Sequence, residues 1–256
     1  MTRWSAHLSM LFRELPYLDR PRAARAAGFE AVETWWPENG TGTAWADETT
    51  RLGLDVSVVN AYGGDLKAGE RGFLNVRERR AEAVEAFAAA AALARRCGAV
   101  RINVLVGRAL AGQDRRAQLE TAAEALRECA QLAERADLTI LVEAINELDV
   151  PGSLVPTPAV AVELIEASGS DAVRLLYDAY HAARAGGDPL SEVGSFGPLI
   201  GHVQYADCPG RGAPGTGRLD LGALVEALEA AGYAGAIGLE LDPGGPSDDL
   251  LQKVPR

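Results

Sequence analysis

Residues 174–188 read RLLYDAYHAARAGGD, and this stretch joins an apolar run to a polar segment with no turn residue between them. Leu175, Leu176 and Tyr177 are typical of a buried strand. Asp178 follows them directly. A carboxylate at the end of a buried element needs a positive counterpart, because its desolvation is costly when it is left unpaired.

Strand-like runs of this kind recur along the 256 residues. Eight are predicted: AHLSM (6–10), EAVETWW (30–36), DVSVVN (55–60), VRINVLV (100–106), LTILVEA (138–144), VRLLYDA (173–179), IGHVQYAD (200–207) and AIGLELD (236–242). Helical patterns fill the intervals. Between the third and fourth runs, Val84, Phe87, Ala88 and Ala91 form the stripe of an amphipathic helix, which Gly98 ends.

Strand and helix alternating eight times in about 250 residues is typical of a (β/α)₈ TIM barrel. An open doubly wound sheet usually carries a glycine fingerprint after its first strand, and SMLFRELP has none. Because no linker or composition break divides the chain, we predict an α/β fold in which residues 1–256 form a single barrel domain. Only 16 residues follow Glu240, so the last helix must be short.

The composition excludes several classes of function. A formal net charge of -11 without a cluster of Lys and Arg argues against nucleic acid as a partner. Cys97, Cys129 and Cys208 are widely spaced and form no C-x-x-C pair, so neither a disulfide framework nor a thiolate zinc site is indicated. The longest apolar helical run, residues 86–94, is too short to span a bilayer. We therefore expect a cytoplasmic protein with no membrane partner.

Four predicted strands carry an oxygen donor near the carboxyl end: Glu143, Asp178, Gln204 and Glu240. In a barrel all strands point the same way, so these side chains can converge on the face where barrel enzymes place their chemistry. Three carboxylates and one amide oxygen form an all-oxygen site that suits Mg²⁺ or Mn²⁺. The alternative is that each acid pairs with an Arg or Lys of a neighbouring loop, but that alternative leaves Gln204 unexplained.

Other polar residues lie near the same rim. His181, three residues beyond Asp178, can hydrogen-bond a substrate oxygen, whereas His7 and His202 lie inside strands and are as readily core groups as ligands. Two glycine-containing loops, 60–72 and 206–220, can approach a ligand closely and carry cations able to bind a substrate carboxylate. These cations are Lys67, Arg71 and Arg211.

The sequence resembles a known family. The motifs are LSMLFRELPYLDRPRAARAAGFEAVE, GDLKAGERG, EAIN, YDAYH, GHVQYADCPGRGAPGTG and GLELDP. They resemble those of the hydroxypyruvate isomerase family, within the xylose isomerase-like barrels that include the D-tagatose 3-epimerases. The resemblance covers nearly the whole chain, and the last four motifs are the specific ones. It implies a divalent-metal barrel that moves a proton between adjacent carbons of a small hydroxy-keto acid.

The resemblance also implies roles for individual residues. By motif position the metal ligands fall on Glu143, Asp178, Gln204 and Glu240, and Glu143 and Glu240 are also the acid/base pair. His181 and Arg211 fall where relatives contact substrate, and His7 stands where relatives often carry Asn. The implied reaction interconverts hydroxypyruvate and tartronate semialdehyde through an enediolate.

Two further departures from the family bear on the substrate. Ala144 replaces a usual Pro, and Leu148 replaces an Arg, because this chain reads NELD where the family usually has NTRD. The alternatives that stay open are a 2-oxotetronate isomerase, a ketose 3-epimerase and a non-catalytic metal- or sugar-binding barrel. The partners expected are a small hydroxy-keto acid or sugar and, as an open alternative, further copies of the chain in a homo-oligomer.

Overall fold

The computed structural model describes residues 2–37 and 40–255, and its strands form a closed parallel barrel. Each strand pairs with its neighbours in chain order, and β1 also pairs with β8, so the sheet has no free edge. The predicted TIM barrel is confirmed. Its strands are β1 (Trp4–His7), β2 (Ala31–Thr34), β3 (Asp55–Asn60), β4 (Arg101–Val104), β5 (Thr139–Glu143), β6 (Val173–Asp178), β7 (Ile200–Tyr205) and β8 (Ile237–Leu239).

Helices connect the strands on the outside of the barrel. They are α1 (Arg20–Ala26), α2 (Gly42–Arg51), α3 (Arg80–Cys97), α4 (Arg115–Arg135), α5 (Pro158–Ser168), α6 (Ala179–Arg184), α7 (Pro189–Phe196) and α8 (Leu221–Ala230). Both α6 and α7 lie between β6 and β7, where the sequence predicted a shorter segment interrupted by glycines. After β8 the only helical element in the described chain is a 3₁₀ turn, Leu250–Gln252. The last helix is therefore short, as the sequence predicted.

Local side-chain chemistry explains where these helices begin and end. The side chains of Asp114, Thr157, Asp188 and Asp220 accept hydrogen bonds from backbone N–H groups in the first turns of α4, α5, α7 and α8. Gly98 ends α3 in the left-handed conformation, with a φ of +74°, as the sequence predicted. These caps satisfy backbone groups that a helix end leaves unpaired.

The first strand was predicted two residues too late. The sequence prediction was 6–10, but β1 ends at His7, because the chain turns there and the N–H groups of Met10 and Leu11 both donate to the His7 carbonyl. Leu8, Leu11 and Phe12 are nevertheless fully buried. An apolar run thus continued through a buried turn, which periodicity alone cannot distinguish from a strand.

Strand register sets the relative heights of the predicted ligands. Asp178 pairs directly with Gln204, Glu143 pairs with Leu176, and Gln204 pairs with Gly238. Glu143 and Glu240 are therefore offset by two residues along their strands from the central pair. Because barrel strands are tilted and staggered, such offsets bring side chains to a similar level on the rim.

The main apolar core lies between the strands and the surrounding helices, and a small separate cluster of Val58, Leu141 and Leu176 comes from β3, β5 and β6. None of the helices in the described ranges combines the length and apolarity that crossing a membrane requires.

Candidate active site

The four strand-end residues are buried together at the carboxyl ends of β5 to β8. Glu143 is 8% exposed, Asp178 4%, Gln204 2% and Glu240 4%. Glu143 and Asp178 also place carboxylate oxygens within 4.8 Å of each other and of a His181 ring nitrogen, a spacing that could hold a metal ion. Three carboxylates with so little solvent require compensation by positive charge.

Asp178 uses only one of its oxygens for structure. Oδ1 accepts the backbone N–H groups of Tyr180 at 2.8 Å and His181 at 3.3 Å, and so caps α6. Oδ2 is buried and has no hydrogen-bond partner within the described ranges. This division explains why the buried strand ends in an acid: one oxygen starts the next helix and the other remains available to a ligand.

Gln204 shows the same division. Its Nε2 donates to Oε1 of Glu33 at 2.8 Å, whereas its own Oε1 is buried without a partner among the residues described. A buried polar atom without a partner is rare in folded proteins. Since Asp178 and Gln204 are neighbours in register, their two unsatisfied oxygens fit a hard divalent cation.

Burial and mutual repulsion disfavour the charged form of two of the acids. Burial raises the pKa of Glu143 well above its ordinary value, and the charges of Glu240 and Asp178 add to the effect. Burial likewise raises the pKa of Asp178, although His181 and Arg211 oppose this. Asn103 donates to Oε2 of Glu143 at 2.7 Å, which offsets only part of the cost.

Arg211 is the cation of this cluster. Its Nη2 donates to Oε1 of Glu240 at 2.8 Å, and its guanidinium lies 5.3 Å from the centre of the Tyr180 ring. The alternative that every acid pairs with an Arg or Lys holds only for Glu240. In the chain as described, Glu143 and Asp178 form no ion pair with an Arg or Lys. Trp35 Nε1 donates to the same oxygen of Glu240 at 3.2 Å.

Hydrogen bonds to the Asp207 side chain hold the loop that carries Arg211. Asp207 accepts the backbone N–H groups of Gly215, Gly217 and Leu219 at 2.8 to 3.0 Å. Arg211 itself has a φ of +55°, a conformation that non-glycine residues seldom adopt. The loop therefore holds the guanidinium over Glu240 at some conformational cost.

Asn146 determines the tautomer of His181. Its Nδ2 lies 2.5 Å from Nδ1 of His181, and the opposite end of the amide accepts the backbone N–H of Asp149. Nδ1 is therefore an acceptor, and the ring proton is on Nε2, 3.8 Å from oxygens of both Glu143 and Asp178. Burial lowers the pKa of His181, which favours this neutral form with one N–H directed into the site.

The other predicted substrate-binding residues take different positions. His7 lies beside Glu240, with its Nε2 3.8 Å from Oε2, and its ring packs edge-on against Trp35. Arg71 directs Nη1 to the carbonyls of Leu66 and Glu70, so at least part of its guanidinium braces its own loop.

Lys67 lines two cavities on the β2 and β3 side of the rim. The larger, about 810 Å³, lies against α2 and α3 and includes Asn60 and Arg96. The smaller, about 420 Å³, includes Arg13 and Trp35. None of the four predicted ligands lines either cavity, but Trp35 belongs to the smaller one and also contacts Glu240. The smaller cavity, and not the larger, therefore adjoins the cluster of candidate ligands.

Comparison with known proteins identifies the family. The family model described as a xylose isomerase-like TIM barrel matches residues 21–255. A putative hydroxypyruvate isomerase from Streptomyces coelicolor is 40% identical, over 94% of this chain and 91% of that protein. The chain belongs to the hydroxypyruvate isomerase family of xylose isomerase-like TIM barrels.

Other members of this superfamily carry different names. A 2-oxo-tetronate isomerase from Cupriavidus necator is 33% identical, over 95% of this chain and 94% of that protein. A crystal structure described as an AP endonuclease, family 2, from Brucella melitensis superposes with a TM-score of 0.94 and 32% identity, covering 98% and 97% of the two chains. Relatives that share this fold thus carry the names of different activities, so membership of the family does not by itself identify the substrate.

Some residues of this family member's site were not predicted from its sequence. They are Glu33, Asn103 and Asn146, which hydrogen-bond Gln204, Glu143 and His181 respectively. The available signal was a polar residue within an apolar strand, for Glu33 and Asn103, or three residues beyond one, for Asn146. His202, for which a core role was one of two open interpretations, donates to Glu33 at 2.8 Å in the barrel interior.

The raised pKa values of Glu143 and Asp178 predict how metal binding depends on pH. Both carboxylates hold protons above their ordinary range, and a ligand must lose its proton to bind a cation. We expect the Kd for Mn²⁺ to fall as the pH rises through and above the ordinary carboxyl range, with proton release on binding. Calorimetric titration in two buffers of different ionisation enthalpy measures both. A Kd independent of pH, without proton release, would contradict the ligand assignment.

Proposed function

We propose that this chain is a divalent-metal-dependent isomerase, using Mg²⁺ or Mn²⁺, that interconverts hydroxypyruvate and tartronate semialdehyde. One observation carries the proposal: three buried carboxylates converge with an amide oxygen, and Asp178 Oδ2 and Gln204 Oε1 have no partner within the described chain. The name of the Streptomyces coelicolor relative supports the substrate class.

Glu143, Asp178, Gln204 and Glu240 would hold the ion. When bound, it would act as a Lewis acid that stabilises negative charge on the oxygens of the substrate. The rest of the chemistry belongs to the chain. The acid cluster excludes water almost completely, which strengthens every electrostatic interaction within it.

The reaction moves one hydrogen from C3 of hydroxypyruvate to C2, while a hydroxyl proton passes from the oxygen of C3 to that of C2. We assign Glu240 as the base that removes the C3 proton and leaves an enediolate, and Glu143 as the acid that protonates C2. In the reverse reaction the two residues exchange roles. The kcat values of Glu240→Gln and Glu143→Gln test which of them is the principal base.

His181 supplies a fixed donor beside the reacting carbons. Because Asn146 occupies Nδ1, the Nε2–H group is the one that can donate to an oxygen of the substrate. Its position between Glu143 and Asp178 places this donor within the acid cluster. His7 would approach the same substrate from the side of Glu240.

A deuterium exchange experiment tests the function. Incubation of hydroxypyruvate with the protein and Mn²⁺ in D₂O should incorporate solvent deuterium at C2 or C3, as followed by NMR, because the proton passes through an exchangeable carboxyl group. Metal-free protein is the control. A metal- or sugar-binding barrel without activity would give no exchange under either condition.

The substrate carboxylate leads to a prediction for Arg211. With Leu148 65% exposed and lacking a charge, the anionic end of a keto acid needs another cation. Arg211→Ala should raise KM for hydroxypyruvate about tenfold or more, since a hydrogen bond to a charged group contributes about 1.5–3 kcal/mol. KM for neutral ketoses should change much less. Steady-state kinetics on both substrate classes provides the measurement.

Arg71→Ala is the matched comparison for this prediction. If Arg71 only braces its loop through the carbonyls of Leu66 and Glu70, its loss should affect acids and ketoses alike. A uniform effect of Arg211→Ala on both classes would mean that Arg211 supports the site without binding the carboxylate. That result would favour a ketose 3-epimerase.

The second candidate is a 2-oxotetronate isomerase, which the Cupriavidus necator relative favours. The same ligands and the same proton transfer would serve a substrate longer by one carbon. A panel of hydroxypyruvate, 2-oxotetronate and free ketoses, each assayed with Mg²⁺ and with Mn²⁺, distinguishes these activities by kcat/KM.

A further inference from the structure

Glu33 is a buried carboxylate that the proposed mechanism does not use. It lies in β2 and is 1% exposed. Three donors converge on it: Gln204 Nε2 reaches Oε1 at 2.8 Å, while His202 Nε2 at 2.8 Å and Ser57 Oγ at 3.0 Å reach Oε2. So many donors to one buried acid indicate a position that the fold maintains.

The contact with Gln204 determines which end of that amide is free. A carboxylate only accepts hydrogen bonds, whereas the Gln204 amide has one donating end and one accepting end. Glu33 therefore holds Nε2, and Oε1 points away, where it is buried without a partner among the described residues. A rotated amide would place two oxygens against each other and would leave Nε2, which cannot bind a cation, at the site.

Strand β8, which pairs with β7, leaves room for the contact between Glu33 and Gln204. A Cβ atom at Gly238 would lie 2.2 Å from Oε1 of Glu33, which is far inside van der Waals contact. Gly238 is also the register partner of Gln204. The backbone of β8 is thus close to the carboxylate at the point where the carboxylate meets the amide, and any side chain at position 238 would displace it.

We propose that Glu33 is a positioning residue that acts through Gln204, turning the amide oxygen toward the metal site and increasing its basicity. The inference rests on the proposed function, since it presupposes that Gln204 is a ligand. Outer-shell partners of metal ligands commonly change metal affinity by about 10–100-fold when they are removed.

A double-mutant cycle tests the proposal. Mn²⁺ is titrated by calorimetry into chelator-treated protein, a measurement that does not depend on activity. Glu33→Gln should raise the Kd by about 10–100-fold, because an amide at position 33 can pair with either end of the Gln204 amide. In the Gln204→Ala background the same substitution should change the Kd much less, because only the effect of the lost negative charge remains.

A second variant separates geometry from charge. Glu33→Gln also removes a negative charge, which by itself would weaken cation binding whether or not Gln204 is present. Gly238→Ala keeps the charge and displaces the carboxylate, so it too should raise the Kd in the presence of Gln204 and have little effect in its absence. It also serves as the test if Glu33→Gln does not fold, with circular dichroism as the check on both.

The outcomes are distinguishable. A wild-type Kd in both Glu33→Gln and Gly238→Ala would overturn the inference and leave the proposed function standing. So would an effect of Glu33→Gln that persists undiminished in the Gln204→Ala background. Failure of the wild-type protein to bind Mn²⁺ would overturn the proposed metal site, and the inference with it.

Discussion

Glu240→Gln should retain Mn²⁺ and substrate while kcat falls by about 10² to 10⁴-fold, the usual contribution of a general base. Glutamine keeps the shape and one oxygen donor of the side chain but cannot accept the proton from carbon. The side chain should stay in place, since Arg211 and Trp35 both donate to Oε1 of Glu240 and an amide oxygen can still accept from them. Glu143, Asp178 and Gln204 remain to hold the ion. Steady-state kinetics together with Mn²⁺ titration gives both quantities.

Asp178→Asn is the matched control for this prediction. Asp178 has no role in proton transfer, and its Oδ2 is the oxygen available to the ion, so the substitution should chiefly weaken metal affinity. A Glu240→Gln enzyme that works at close to the wild-type rate would move the base elsewhere, and Glu143→Gln would then be expected to show the large loss in kcat.

Removal of the metal should abolish turnover, and added Mg²⁺ or Mn²⁺ should restore it. Asp178 has no role in the proposed chemistry other than to hold the ion, and the two buried oxygens without partners, Asp178 Oδ2 and Gln204 Oε1, remain unsatisfied when no ion is bound. Stability should fall as well: an ion present at 100 times its Kd stabilises the folded state by about 2.7 kcal/mol, or about 5 to 10 °C in Tm for a chain of this size. Activity assays and thermal unfolding, each before and after chelation, measure the two effects.

The Asp178→Asn variant again provides the control. Its Tm should respond much less to chelator than that of the wild-type protein, because the ion is weakly held to begin with. Full activity after exhaustive metal removal would contradict the assignment of Glu143, Asp178, Gln204 and Glu240 as ligands, and with it the proposed isomerase chemistry.

The barrel could be predicted because its signals are local. Each strand is a short apolar run and each helix carries a stripe or a cap within a few residues, as Asp114 and Gly98 do for α4 and α3. The predicted β3 has the bounds of the observed strand. Where a run of apolar residues entered a buried turn, at Leu8 and Phe12, the local signal was misleading, because burial and strand conformation are different properties.

The convergence of the four candidate ligands could also be predicted from the sequence. Parallel strands share one direction, so oxygens at the ends of β5 to β8 must meet at one rim once the barrel closes. What the sequence left open was the second partner of each ligand. Asp178 divides its oxygens between α6 and the site, and Gln204 divides its amide between Glu33 and the site.

By itself, the sequence thus determined the barrel and the set of oxygens at its rim, because both follow from patterns that repeat within one element. Only the tertiary structure decided that Arg211 pairs with Glu240, that Asn146 fixes the tautomer of His181, and that Glu33 lies against Gln204. These contacts join residues 29, 35 and 171 positions apart. No local pattern records such a pair, since closure of the barrel is what brings its members within hydrogen-bond distance.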